Sequence, residues 1–355
     1  MLLTGMGSVK KAGLYDKALH WLKEAGVAVT KQTGVKPNPD ISLIREAALT
    51  CKKEGVDIIV AIGGGSVIDS AKAIAAGAMY DGDPWDFFTK KIRVRNPLPV
   101  GALLTLAATG SEMNGNVVIS NRETEEKLGM YHPKLYPAFS ILDPTLTYSV
   151  SAEQTAYGAV DILSHLFEQY FHSVPHASLQ DGFAETIMQT VIKSAPLAIG
   201  EPLNYGARAN ILWSSTLALN GLVGAGVKGD WACHMIEHEL SAKYDIAHGA
   251  GLALIFPAWM KHVYKANIGK FVQFAVKVWG IDPSGKSDED IALAGIEATK
   301  NYFRKELQIS VSLAGYGIDG SRLREMALSA TKQGPLGSVM LLSAEDVEAI
   351  FQEAL

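Results

Sequence analysis

The sequence predicts two domains in series: an α/β domain with a parallel, doubly wound sheet over 1–150, and an all-helical domain over 151–355. Three observations carry this. Short apolar runs alternate with amphipathic helical stretches through the first half. One run, Asp57-Ile-Ile-Val-Ala-Ile62, is apolar after its first residue, as a strand covered on both faces must be, and it leads straight into Gly63-Gly-Gly-Ser66. After Pro144 the strand pattern stops and helical periodicity takes over.

In order along the chain, Leu2-Leu3-Thr4 reads as the end of a strand running into Gly5-Met-Gly-Ser8. Tyr15, Ala18, Leu19, Leu22 and Ala25 recur at helical spacing and mark one face of a helix. Val27 to Thr30 suits a short strand. Asp40 has the short acceptor side chain of a helix N-cap, ahead of the stripe Ile41, Ile44, Ala47, Ala48 and Cys51. The glycine run opens an alanine-rich helix to about Gly77. Leu98 to Leu106 is a further buried strand, ending in the small and hydroxylated segment Ala107-Ala-Thr-Gly-Ser-Glu-Met-Asn-Gly115. Val117 to Ser120 and Leu128 to Tyr131 flank a polar stretch, as in a hairpin, and Phe139-Ser-Ile-Leu142 before Asp143-Pro144 reads as the last strand. Helices are then expected over 151–170, with Gly158 as a point of weakness, and over 178–198, 205–222, 230–243, 249–265, 268–279 and 289–305. Asp319 and Ser343 are placed to open the last two helices, Ser343 with Asp346 as a capping-box variant.

Composition narrows the functional classes. The 355 residues are 48% hydrophobic and 19% charged, enough apolar material for two cores. A net charge of -5 gives no basic footprint for nucleic acid and no polybasic patch for a membrane surface. No apolar run reaches the length of a membrane span, and the N-terminus lacks a signal-peptide pattern. Cys51 and Cys233 are too few and too far apart for a disulfide framework, so a reducing cytoplasm is expected.

Two stretches carry chemistry. Gly63, Gly64, Gly65 and Ser66 lie between a strand and a helix, where backbone N–H groups can approach a phosphate and the helix dipole favours an anion. Asp69 follows in the first turn and can brace the loop. Three glycines exceed what a turn needs, but the run matches neither the dinucleotide nor the Walker pattern, so it indicates phosphate without naming a nucleotide. In the helical half, Asp161 and His165 stand at i, i+4, as do His234 and His238, and His248 follows before Gly249. Each pair leaves one face of one helix, which is how a helical core builds a divalent-metal site. Lone histidine pairs are more often surface or core residues, and spacing does not choose between His234 and His238. With the phosphate loop in one half and the candidate ligands in the other, the active site is expected in the cleft between the domains.

Gly63-Gly-Gly-Ser-x-x-Asp69, Ala108-Thr-Gly-Ser-Glu112, Leu142-Asp-Pro144, Asp161-x-x-x-His165 and His234-x-x-x-His238 with Ala247-His-Gly249 resemble the iron-dependent (group III) alcohol dehydrogenases. Gly221-Leu-Val-Gly-Ala-Gly226 and Asp230-Trp-Ala-Cys-His234 resemble their butanol dehydrogenase and NADPH aldehyde reductase branch. The resemblance covers nearly the whole chain and implies a dehydroquinate synthase-like α/β domain followed by a helical metal domain. It implies Asp161, His165, His234 and His248 as ligands of one divalent metal, Fe(II) or Zn(II), with His238 as a nearby proton-handling or supporting residue. Gly64, Gly65 and Ser66 would hold the pyrophosphate, with Thr105, Thr109, Ser111, Asn114 and Lys127 lining the rest of the dinucleotide site. Gly5, Gly7 and Ser8 would lie near the adenosine ribose. Met6 stands where NAD-preferring relatives often carry an aspartate, and Ser8 with Lys10 or Lys11 could accept a 2′-phosphate, which favours NADP(H) over NAD(H).

The implied reaction is hydride transfer between NAD(P)H and a short- to medium-chain aldehyde or alcohol, with Trp231, Met235 and Leu252 as apolar surroundings. Glycerol dehydrogenase-like polyol oxidation, or a chain that binds metal and cofactor without turnover, are the alternatives. The family also implies a homodimer built partly by an edge strand that precedes the position of Leu2, and Met1 falls inside the strand after it.

Overall fold

The computed structural model describes residues Met1–Leu355. The chain forms two compact units, Met1–Val150 and Ser151–Leu355.

The first unit has seven strands: β1 (Leu2–Gly5), β2 (Lys31–Val35), β3 (Ile59–Gly63), β4 (Val100–Leu104), β5 (Asn116–Asn121), β6 (Glu126–Tyr131) and β7 (Phe139–Leu142). Five form a parallel sheet in the order β2-β1-β3-β4-β7, while β5 and β6 pair as a separate antiparallel hairpin. Its helices are α1 (Ser8–Lys11), α2 (Leu14–Glu24), α3 (Ile41–Glu54), α4 (Gly65–Ala78) and α5 (Trp85–Phe88). The connection from β1 moves to one side of the sheet and that from β3 to the other. The switch point therefore lies between β1 and β3, whose carboxyl ends carry Gly5-Met-Gly-Ser8 and Gly63-Gly-Gly-Ser66. The helix from Ile41 is capped as expected, with Asp40 accepting the Ser42 N–H at 2.9 Å.

One strand begins later than expected. Residues 27–30 are not a strand; pairing begins at Lys31. Gly26, at φ +70°, closes α2, and the Val27 N–H still bonds the Leu22 carbonyl, so the chain has not left the helix end at Val27.

The second unit comprises α6 (Ala152–Tyr170), α7 (Ser178–Gly200), α8 (Tyr205–Leu219), α9 (Ala232–Tyr244), α10 (His248–Val263), α11 (Ile268–Trp279), α12 (Asp288–Asn301), α13 (Leu323–Ala330) and α14 (Ala344–Glu353). α6 is central: every residue from Gly158 to His172 is buried, and the helix packs against α7, α8 and α10. It runs unbroken through Gly158, because packing on several sides outweighs the roughly 1 kcal/mol that a helical glycine costs. Its carboxyl end joins an aromatic cluster in which Phe171 stacks on Phe271 at 4.3 Å and Phe167 meets Phe274 edge-on at 5.5 Å.

Two other details differ from expectation. The helix expected to 305 is α-helical to Asn301 and widens into a π-turn over Tyr302–Glu306. Asp319 takes the Ser321 N–H in a local turn, and α13 starts only at Leu323. The capping box at Ser343 and Asp346 is present.

Candidate active site

The helical unit brings its sequence-predicted ligands together. Asp161 and His165 leave the same face of α6, His234 and His238 the same face of α9, and His248 is the first residue of α10. Asp161 Oδ1 lies 3.8 Å from His165 Nε2 and 3.6 Å from His248 Nε2. The His165 and His234 rings stack at 4.8 Å, and the His234 and His248 rings stand 5.5 Å apart. Donor atoms of Asp161, His234 and His248 all fall within 4.8 Å of one another. Two donors each about 2.1 Å from one metal at a tetrahedral angle stand about 3.4 Å apart, so these separations fit a shared divalent cation. Burial, with the neighbouring His234 and His248, holds the His165 imidazolium well below its usual range, which keeps the ring in the neutral form a metal needs.

His238 is also buried, with its ring 5.9 Å from that of His248. Its donor atom groups with Glu237 and His248 within the same 4.8 Å. Glu237, however, already accepts from His248 Nδ1 and from the Ser241 hydroxyl, so it orients a histidine and is not placed as a ligand itself. Of the apolar residues expected around the site, Leu252 is fully buried in the core of α10, whereas Trp231 and Met235 are exposed.

Glu168 and Glu237 escaped the sequence reading. Glu168 Oε1 accepts from His234 Nδ1 at 3.0 Å, as Glu237 does from His248 Nδ1. Both side chains are wholly buried. Burial pushes the Glu168 carboxyl up to about 8, against the opposing pull of backbone N–H donors from His234, Trp231 and Cys233. The available signal was spacing: each glutamate follows a candidate ligand, His165 or His234, by three residues, on the same helix face.

In the sheet unit, Gly63 ends β3 and Gly64 stands before α4, which has no side-chain cap. The glycines are spent on packing as well as on backbone exposure. A β-carbon on Gly63 would lie 2.4 Å from Val67, and one on Gly65 would lie 2.3 Å from Thr109 Oγ1. Gly64 and Ser66 are only part-buried. Gly5, Gly7 and exposed Ser8 lie at the end of β1, with Gly7 at φ +155°. Thr105 follows β4 and its N–H bonds the Gly63 carbonyl; Lys127 is a buried residue of β6 opposite Ser120.

Asp69, Ser111 and Asn114 come together around a residue that spacing did not single out, Lys72. Its side chain is fully buried, and Nζ donates to Ser111 Oγ at 2.8 Å and to the carbonyls of Asn114 and Asn116 at 2.9 Å. Ser111 in turn donates to Asp69, whose other oxygen accepts the Val118 N–H at 2.8 Å. The Asn114 amide donates to the Gly110 carbonyl. Desolvation lowers Lys72 to about 8, with Asp69 and Glu112 pulling the other way. Asp69 lies beyond the first turn of α4, so it ties the helix to the 111–118 segment and does not serve the helix dipole.

A family model described as iron-containing alcohol dehydrogenase matches residues 1–144, and one described as the C-terminal part of the Fe-containing alcohol dehydrogenase family matches residues 155–355. The chain is 46% identical to the probable NADH-dependent butanol dehydrogenase 1 of Bacillus subtilis, over all of this chain and 92% of that one. It is 40% identical to the NADPH-dependent aldehyde reductase YqhD of Escherichia coli, over 94% of this chain and 86% of that one. The crystal structure of NADH-dependent butanol dehydrogenase A from Thermotoga maritima superposes with a TM-score of 0.95 at 46% identity, covering 99% of this chain and 90% of that one. The chain belongs to the iron-containing alcohol dehydrogenase family.

Proposed function

We propose that this protein interconverts short- to medium-chain aldehydes and alcohols, in the manner of a butanol dehydrogenase, with a nicotinamide dinucleotide as hydride carrier. As a member of its family, the chain is an NAD(P)-dependent alcohol dehydrogenase. The observation that carries the proposal is the convergence of Asp161, His234 and His248, whose donor atoms lie within 4.8 Å of one another, with His165 Nε2 3.8 Å from Asp161. A donor set of this kind accommodates Fe(II) or Zn(II), and the family name favours iron. When bound, the metal would supply Lewis acidity toward a carbonyl or alkoxide oxygen.

The chain's own residues divide the remaining work. Gly64, Gly65 and Ser66 would take the pyrophosphate on backbone N–H groups, a reading supported by their position at the uncapped start of α4. Asp69 and Lys72, through Ser111, Asn114 and Val118, tie α4 to the 111–118 segment. Thr105, Thr109 and Lys127 remain candidates for direct contact with the dinucleotide, and Gly5, Gly7 and Ser8 for contact with its adenosine end. His238, buried beside His248, is the candidate for moving the hydroxyl proton.

The relatives include proteins named for NADH and for NADPH. In this chain no carboxylate follows β1, while Ser8, Lys10 and Lys11 do and are exposed, so NADPH is the favoured cofactor. The working unit is taken as a homodimer in the cytoplasm, a compartment that suits the free buried thiols of Cys51 and Cys233.

The test is oxidation of NADPH and NADH by protein reconstituted with Fe(II) or Zn(II), over a panel from acetaldehyde to octanal with the reverse reaction on butanol and glycerol. Turnover of butanal is the expected result. Binding of NAD(P)H without turnover of any carbonyl would overturn the proposal, and a preference for glycerol would reassign the substrate.

A further inference from the structure

Glu168 and Glu237 stand in a closed chain of contacts. Glu168 on α6 holds His234 on α9; Glu237 on α9 holds His248 on α10; and His248 faces Asp161, back on α6, at 3.6 Å. α6 thus carries two carboxylates and α9 one, each gripping or facing a histidine of another helix.

The contacts are specific. Glu168 Oε1 accepts both the His234 N–H at 3.1 Å and its Nδ1 at 3.0 Å, while Oε2 accepts the Trp231 N–H at 2.6 Å. α9 has no side-chain cap of its own, and Trp231 before it is left-handed at φ +64°, so Glu168 caps this helix from another element. The same carboxylate therefore fixes the helix start and the ring of its third residue. Glu237 accepts from His248 Nδ1 and from the Ser241 hydroxyl. Gly251 leaves it room: a β-carbon there would lie 2.7 Å from Glu237 Cγ. A carboxylate on Nδ1–H fixes the tautomer, leaves Nε2 as the donor, and makes the ring more basic toward a cation.

We infer that Glu168 and Glu237 are positioning residues that set the affinity and coordination geometry of the cation at Asp161, His165, His234 and His248. This rests on the metal-binding reading above. Burying two carboxylates beside a third, Asp161, is costly unless positive charge is gathered among them, and a divalent cation gathers it.

The experiment titrates metal-free protein with Co(II), following the visible absorption band, in wild type, Glu168→Gln and Glu237→Gln, with thermal melting of each metal-free protein alongside. The expected result is an affinity weakened about 10–100-fold and a shifted band in both variants. Metal-free melting should fall in Glu168→Gln, where an NH2 group replaces an oxygen that accepts a backbone N–H, and stay near wild type in Glu237→Gln, where the NH2 group can donate to the Ser241 hydroxyl. Wild type that binds no Co(II) would remove the metal reading itself. Variants that bind within about twofold of wild type, with an unchanged band, would overturn this inference alone. A Glu168→Gln protein that melts earlier yet keeps wild-type Co(II) affinity and band would show a structural role alone and would also overturn it. Should Glu168→Gln fail to fold, Ser241→Ala frees Glu237 on one side while keeping every carboxylate; weaker Co(II) binding is expected, and unchanged binding overturns the assignment.

Discussion

A β-carbon on Gly249 would lie 2.2 Å from the carbonyl oxygen of Tyr157. The first turn of α10 therefore rests directly on the backbone of α6, and it does so next to His248. That close approach is what sets His248 Nε2 3.6 Å from Asp161 Oδ1. Backbone cannot rotate away as a side chain can, so Gly249→Ala should force the helices apart. The expected cost is about 1–3 kcal/mol in equilibrium unfolding, accompanied by loss of bound metal. Gly182→Ala is the control: nothing lies within 4 Å of that position in α7, and the change should be neutral or slightly stabilising.

The histidines separate by role. His165→Ala and His234→Ala each remove a proposed ligand and should empty the site while leaving far-UV circular dichroism intact. His238→Ala should keep its metal and lose turnover by roughly 10²–10⁴-fold, with an altered pH profile, if it moves the proton. Metal analysis and pH-dependent turnover on the three variants, side by side, decide this. Metal lost from the His238 variant and kept in the His234 variant would reverse the assignment.

Lys72 gives a pH signature in the other unit. Its ammonium is lowered from the usual 10.5 to about 8 by burial. Below pH 8 the folded and unfolded chains are both protonated here and the cost of burying the charge is fully present. Between pH 8 and 10.5 the unfolded chain holds a proton that the folded one has released, so this residue's contribution to stability rises with pH and is complete above 10.5. The swing is on the order of 3 kcal/mol. Unfolding free energies of wild type and Lys72→Met, measured from pH 7 to 10, should show their difference shifting in favour of wild type above pH 8. A flat difference would show that Lys72 is not held down.

At the glycine run, packing and ligand approach can be separated. Gly65→Ala drives a methyl group into Thr109, so both stability and dinucleotide affinity should fall. Adding Thr109→Gly makes room for it and should restore stability. Calorimetry is expected to find the double variant binding dinucleotide more weakly than Thr109→Gly alone, because the added methyl group shields the backbone from a pyrophosphate. Affinity equal to that of Thr109→Gly alone would mean that the glycine serves packing alone.

The sequence by itself determined the local parts. A continuous apolar run suits a doubly covered strand, and β3 is one; Asp40 and Ser343 cap helices because their short side chains reach the N–H groups two or three residues on. Pairs at i, i+4 share a helix face whatever the fold, so Asp161 with His165 and His234 with His238 were legible as pairs. The family resemblance supplied the choice of His234 over His238. What faces what was decided only by tertiary structure. Glu168 meets His234 across 66 residues of sequence, and Lys72 meets Asn114 across 42. Asp69, Ser111 and Asn114, read as cofactor residues, also bond one another, Lys72 and nearby backbone, and Leu252, read as part of the site's apolar surroundings, is buried in α10. Periodicity says which face of a helix a side chain leaves. Only the packing of helices and strands, driven by burial of their apolar faces, says which partner is waiting there.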